Sequence, residues 1–302
     1  MNQEELDKLV KYHELWVKSK GKKGKRLNLI DESLKKVILG SRFASKILKK
    51  STLINSNLSN SNLYDANLSN ANISAANLSD ANLYNANLSY ANLSDANLSY
   101  ANLSDANLYN ANLYNANLYN ANLSYANLSS AYLSRANLWN ADLFQANLWN
   151  ADLYKANLTN ANLSDANISG TNFYEVSLSG SKLDNLDFSI LSICPEEGQF
   201  YGFKKVQGDF ILKLLISKHA KRINPISYRN CRASKVKVIE AYNPDGSNTN
   251  QTKFQSFFKP TFEYEIGKWI EVKDFNDDIR EKNVPGIHFF LTKKEAIQYR
   301  VS

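Results

Sequence analysis

Ala101-Asn102-Leu103-Ser104-Asp105, followed by Ala106-Asn107-Leu108-Tyr109-Asn110, is one step of a five-residue unit that runs twenty-eight times from Ser51 to Ile190 without insertion or deletion. The central residue of every unit is apolar: 24 Leu, Ile73 and Ile168, Phe173 and Phe188. The residue two positions earlier is Ala in 21 of the 28 units. A period of five matches neither the 3.6 residues of a helical turn nor the 2.0 of a flat strand, so neither element could bury this pattern on one face. A coil that turns a corner every five residues can. The central residue and the small Ala then point inward, where bulk at the Ala position would overfill a close-packed interior. The last residue of the unit is Asn, Asp or Gly in 18 of 28 cases, types that accept the left-handed backbone of a tight corner. The other ten, among them Tyr90, Arg135 and Lys155, tolerate it less well, so some corners are expected to use a turn without positive φ.

This A-(N/D)-L-x-x tandem resembles the pentapeptide-repeat proteins, over nearly half the chain. The resemblance implies an all-β solenoid, a right-handed quadrilateral β-helix with four units per coil. Seven coils at the strand spacing of about 4.8 Å would make a rod of roughly 34 Å. Before Ser51 the spacing continues imperfectly through Leu29, Leu34 and Leu39, and Phe43 and Leu48 rejoin the frame, so the β-helix is expected over residues 27–190. Its open ends must be covered against edge-to-edge association. Residues 2–19 read as an amphipathic helix, with Asn2 and Glu5 at capping-box spacing, Leu6, Leu9 or Val10, His13 and Trp16 on one face, and Gly21 as the stop. Residues 1–26 are therefore expected to form an N-terminal capping helix and basic turn, with Trp16 as the plug and His13 as a packed residue rather than a base.

The net charge of +7 conceals a polarity. Residues 1–50 carry 14 basic and 6 acidic side chains, the repeats 3 and 10, and residues 191–302 carry 19 and 13. Basic ends can favour nucleic acid, although the run from Lys18 to Arg26 has no interleaved aromatic residues to stack on bases and reads as a solvated turn. No apolar run approaches the ~18–20 residues of a membrane span, and the polar, acidic start is unlike a signal peptide, so a cytoplasmic location without membrane contact is expected. Cys194 and Cys231 provide no disulfide framework.

Asn precedes the central residue in 21 units and Ser commonly follows it, so the rod surface is uniform and suited to Asn ladders. Trp139, Phe144 and Trp149 break this rule by occupying the Ser position on three successive sides, with Tyr119 one coil earlier and Tyr154 on the next side. Outward aromatics of this size make these five a candidate interface for a protein partner or for self-association. Members of the resembled family that inhibit gyrase are thought to imitate DNA with negative charge. Ten acids over 140 residues are dilute beside duplex DNA, which presents about one charge per 1.7 Å, so a DNA-mimic topoisomerase inhibitor is the alternative reading.

After Gly170 the repeats decay, and Cys194-Pro-Glu-Glu-Gly198 opens a domain over 191–302. Phe200 to Val206, a Gln207-Gly208-Asp209 turn and Phe210 to Ile216 read as a hairpin. Further strands are expected at Lys235–Tyr242, Phe262–Glu265 with Trp269–Val272, and Gly286–Leu291, a mobile loop over 243–256, and a short helix after Thr292, a β-rich α+β domain. Its phrases, such as Gly202-Phe-Lys-Lys205 and Arg229-Asn-Cys-Arg-Ala-Ser-Lys235, resemble an uncharacterised domain of phage and bacterial pentapeptide-repeat proteins. Lys221, Arg222, Arg229, Arg232 and Lys235 are a candidate anion site. Cys194, His219, Cys231 and His288 lack paired metal-ligand spacing, and no catalytic set or phosphate loop is recognisable, so no metal, cofactor or enzyme activity is expected. The reading is a non-enzymatic scaffold whose rod presents a C-terminal recognition domain to a macromolecule. A small enzyme or nucleotide-binding unit in that domain is the competing class, to be favoured by a convergent pocket with perturbed titratable groups around His288 or Arg232.

Overall fold

The computed structural model describes residues 3–20, 22, 23, 25, 28, 48–186, 193–195, 197–225, 228–259, 261–280 and 284–300. Asn2, Gly21, the early repeat positions Leu29, Leu34, Leu39 and Phe43, and the terminal Phe188 lie outside them. The chain forms two compact units, Met1–Ile190 and Leu191–Ser302.

In the first unit, helix α1 spans Gln3–Lys18, with Glu4 and Glu5 in its first turn and Lys18 in its last, as the helix dipole favours. His13 is fully buried and its Nε2 lies 2.9 Å from the Lys49 carbonyl oxygen. Trp16, expected as the plug, is only half-buried and stacks on the His13 ring at 5.7 Å. The imidazole thus takes the inner place, where its ring nitrogen satisfies a backbone carbonyl.

Each coil of the repeats takes twenty residues. Parallel bridges join Asn77 to Asn97, Asn97 to Asn117 and so on along the rod. Leu103 N donates to the Asn122 carbonyl at 2.7 Å, and Asn122 N donates back to the Ala101 carbonyl at 3.0 Å. The inward positions are sealed: Leu103 is 0% and Ala101 1% exposed. Between them, Ala106 N bonds the Leu103 carbonyl at 3.1 Å across Ser104 and Asp105, with Asp105 at φ 57°, the positive third residue of a type II turn. Asn102 Oδ1 accepts from Ser104 N at 3.1 Å and stabilises that turn from outside. Along one side, Asn137 Nδ2 reaches Asn117 Oδ1 at 3.1 Å and Asn117 Nδ2 reaches Asn97 Oδ1 at 3.2 Å, so the expected ladder is present there.

The corners correct the sequence expectation. All of the described unit ends from Asn55 to Asn185 have positive φ, including Tyr90 (59°), Arg135 (62°) and Lys155 (58°). The reason is that a corner is bonded to its neighbours: Tyr90 N donates to the Tyr109 carbonyl at 2.9 Å, and any other turn would break that rung. A left-handed residue other than Gly, Asn or Asp costs about 1–2 kcal/mol, on the order of one backbone hydrogen bond in place, and the shared register prevails. At Gly170 the same positive φ (70°) costs nothing, and the space over the residue is taken by Asn150 Oδ1 of the coil before.

The second unit is β-rich. Strands β1 (Phe200–Lys205), β2 (Ile211–Ile216), β5 (Lys235–Tyr242) and β8 (Trp269–Glu271) form an antiparallel sheet in the order β1-β2-β5-β8. A second antiparallel sheet orders β3 (Arg222–Ile223), β4 (Cys231–Ala233) and β9 (Ile287–Phe289), and β6 (Lys253–Gln255) pairs with β7 (Glu263–Glu265). Phe203 and Phe290 exchange two 2.7 Å backbone hydrogen bonds that stitch the first two sheets together. Gly202 permits this approach, because a Cβ there would meet Phe289 at 2.4 Å. Leu212, Leu214, Val236, Val238 and Phe289 centre the core. Helix α2 (Lys293–Gln298) starts in a capping box between Thr292 and Glu295. Two expectations change. Residues 243–256 are not all loop, since they contain β6, and β7 and β8 belong to different sheets. Val236 to Val238 already pair with β2, so β8 completes that sheet's other edge while Phe254 faces Tyr264 in the small ribbon.

The corner strain is open to test. Ser130, at φ 56°, lies between Asn110 and Asn150 of the adjoining coils. Ser130→Asn is expected to raise stability by about 0.5–1 kcal/mol, because Asn accepts this conformation and can extend a corner ladder like the 2.7 Å bond from Asn140 to Asn120. Urea melts of the two proteins measure it, and a lower midpoint for the variant would contradict the strain account.

Candidate functional site

The candidate interface residues lie on different sides of the rod. With twenty residues per coil, Tyr119 and Trp139 share one side, Phe144 occupies the next, Trp149 the one opposite Trp139, and Tyr154 the fourth. The structure therefore brings together Tyr119 and Trp139, whose rings stack at 5.0 Å and 4°, with Tyr100 edge-on to Tyr119 at 5.5 Å. Phe144 meets Tyr125 at 5.6 Å, and Tyr154 stacks on Tyr174 at 5.9 Å. Part of the expected solvation cost is thus relieved within the rod, leaving Trp139 and Phe144 half-buried and Trp149 46% exposed. Tyr100 and Tyr125, unmarked in the sequence because they fall at corner positions, complete the aromatic surface over two adjoining sides.

Four of the five cations of the candidate anion site are committed elsewhere. Arg222 donates to the carbonyls of Gly198 at 2.9 Å and Lys218 at 3.1 Å and lies over the Phe200 ring. Arg229 pairs with Glu295 at 2.8 Å, and Lys235 with Glu271 at 2.9 Å. Arg232 is fully buried and donates to the Asp278 carbonyl at 2.5 Å, while Lys221 stands exposed. They do not converge on one point. The thiols of Cys194 and Cys231 are buried and reduced, and no group of three metal-ligating side chains occurs among the described residues. The hydrogen bond from Cys231 and the nearby Arg222 charge hold the Cys194 thiol below its ordinary range, while the Cys231 thiol is pushed up.

A convergent cavity with shifted titratable groups does exist around His288, one of the two places where the competing reading of a small enzyme or nucleotide-binding unit required one, although Lys204 and Tyr264 were not singled out from sequence. It measures about 450 Å³ and is lined by Lys204, Asn230, Phe262, Tyr264, His288 and Phe290 among others. The alternation of β1 turns Gly202 and Lys204 inward. Lys204 is 7% exposed, its Nζ donating to the His288 carbonyl at 3.1 Å and sitting 5.6 Å from the centre of the Tyr264 ring. Burial pushes its pKa down to about 8, and burial also raises the Tyr264 hydroxyl. The sequence signal was a lysine at an inward position of a strand, legible only once the face of β1 is known.

The buried ammonium makes a pH prediction. A lysine whose pKa falls from 10.5 in the unfolded chain to about 8 in the folded one destabilises the fold fully below about pH 8, and this penalty fades as pH rises to about 10.5. Lys204→Met should therefore stabilise the protein near neutrality, by at most roughly 3 kcal/mol less about 1 for the lost hydrogen bond. The advantage should disappear toward pH 10.5. Chemical denaturation across that range checks it, and a difference independent of pH would show that Lys204 is not held charged against burial.

Pentapeptide repeats (8 copies) match five overlapping stretches of the chain, 47–80, 76–113, 111–150, 141–180 and 151–189, and a family of unknown function (DUF5758) matches 190–296. No curated protein matches. Among solved structures, the chain is similar to HetL, a pentapeptide repeat protein involved in heterocyst differentiation regulation from the cyanobacterium Nostoc sp. Strain PCC 7120. It is 31% identical over 56% of this chain and 87% of that one, with a TM-score of 0.22. Rfr23, a pentapeptide repeat protein from the cyanobacterium Cyanothece 51142, is 34% identical over 38% and 60%, with a TM-score of 0.23. QnrB1 in a trypsin-treated form, a plasmid-mediated fluoroquinolone resistance protein, is 20% identical over 53% and 92%, with a TM-score of 0.29. With repeats matched from 47 to 189 and 87% of a 31%-identical relative covered, the chain belongs to the pentapeptide-repeat family, whose members fold as right-handed quadrilateral β-helices, and it carries a C-terminal domain of a family of unknown function.

Proposed function

We propose that this protein is a non-enzymatic interaction scaffold in which a capped β-helical rod presents the C-terminal domain to a protein partner. Pentapeptide-repeat proteins are in general interaction scaffolds rather than enzymes. The observation that supports the reading for this chain is the cluster of Tyr100, Tyr119, Trp139, Tyr125 and Phe144 on two adjoining sides of the rod, denser than the tyrosine pairs that stand elsewhere on it, such as Tyr64 with Tyr84. Rigid stacked rings lose little conformational freedom on binding and expose apolar area where the remaining surface offers hydrogen bonds. DNA mimicry finds less support, because acids of the rod serve its own ladders. Asp65, Asp95, Asp142, Asp152 and Asp165 each accept from an Asn of the next coil at 2.7–2.9 Å.

Changing Trp139, Phe144 and Trp149 together to Ser should leave the rod folded, since Ser fills the same position in other coils. It should weaken partner capture or self-association at least ten-fold. A partner retained at full strength by the triple variant but lost on changing Tyr64 and Tyr84, a stacked pair whose nearer member lies three coils before Phe144, would place the contact elsewhere.

In the same reading α1 is the N-terminal cap, held by the His13 contact to Lys49. Deleting residues 1–20 should expose the first coil and produce concentration-dependent association in sedimentation. A monomer with the original melting curve would rule the cap out.

A further inference from the structure

We propose that the Lys204 cavity binds a mononucleotide, with the base among the aromatic rings and the phosphate at the lysines of the rim. The cavity, about 450 Å³, falls within the range that holds small ligands. One polar group inside it is incompletely used, since Lys204 spends one of its three protons on the His288 carbonyl.

A ligand complementary to this wall offers an acceptor to the ammonium, as the ring and carbonyl acceptors of a nucleobase edge do. The walls agree: Phe262, Phe290 and Tyr299, all half-buried lining residues, offer aromatic surface to a flat heterocycle. At the rim, Lys259 and Lys273 are exposed and make no ion pair among the described residues, whereas Glu271, the acid beside them, is already held by Lys235. Asp274 is the opposing charge that remains. Phe258 stands 61% exposed at the same rim. A lone apolar pocket would not need two rim cations, and a phosphate site alone would not need the rings.

Calorimetric titration of the full-length protein near neutral pH tests this with the four ribonucleoside monophosphates, their nucleosides and inorganic phosphate as separate probes. At least one monophosphate should saturate a single site, its nucleoside should bind at least ten-fold more weakly, and phosphate alone should not displace it. Lys204→Met should weaken binding at least ten-fold, Phe258→Ala several-fold, and Lys218→Met, outside the cavity, not at all. The Lys204 variant is expected to fold, and the exposed Phe258 gives a second reading if it does not. Absence of saturable binding by every monophosphate, equal affinity for phosphate alone, or binding indifferent to both cavity variants would overturn the assignment.

Discussion

The parallel hydrogen bond from each central residue to the carbonyl nineteen positions ahead is the constraint from which the rod's other features follow. From Leu53 to Leu163 this bond measures 2.6–3.0 Å, and it recurs without a gap. It fixes the spacing between coils, and that spacing favours a small inward residue beside Leu, with Thr171 and Val176 the larger ones admitted at the far end. It also satisfies backbone groups that would otherwise be buried without partners. The same register imposes one turn at every corner, so residues as unsuited as Tyr100 or Gln145 adopt a left-handed backbone. Local preference loses because altering one corner would disturb rungs above and below.

Where the repeat weakens, most inward positions that held Ala become polar, Val176 excepted. Ser51, Ser56 and Ser61 stand where Ala stands in later coils, and Thr171 and Ser181 do so at the far end. Ser56, Thr171 and Ser181 return their hydroxyls to carbonyls at 2.8, 2.7 and 2.6 Å. The second unit differs in kind. Its core admits Lys204 and Arg232, and Arg232 is reconciled with burial through a carbonyl partner. A rod with an almost wholly apolar interior and a domain with buried cations have different physical demands, which fits one being a scaffold and the other a site.

The repeat was legible because its period is short, uniform and incompatible with helix or flat strand. The corners were misjudged because residue preference was weighed without the ladder that overrides it. In the second unit, the hairpin of β1 and β2, the long β5 and the Thr292 cap carried local signals. Strand β6 did not, since Asn, Ser and Gly dominate the segment before Lys253 and its pairing with β7 is nonlocal. His288 was singled out in the sequence, but the rest of the cavity was hidden for the same reason. Lys204, Asn230, Tyr264 and His288 come from four separate stretches, and no spacing between them announces a site. Arg232, taken from sequence as one of a surface cluster, proved to be interior.

The twenty-residue coil makes the rod's geometry discrete. Insertion of one residue would turn the inward Leu to the wall, whereas insertion of five would keep the interior and rotate everything downstream by a quarter turn. A five-residue insertion between Tyr119 and Trp139 would carry the indole to the adjoining side and separate the stacked rings, although no buried contact changed. Only steps of twenty lengthen the rod while leaving each surface column intact. Replication slippage over so regular a sequence can therefore vary reach and facing direction in whole increments, with the hydrophobic interior indifferent to the outcome.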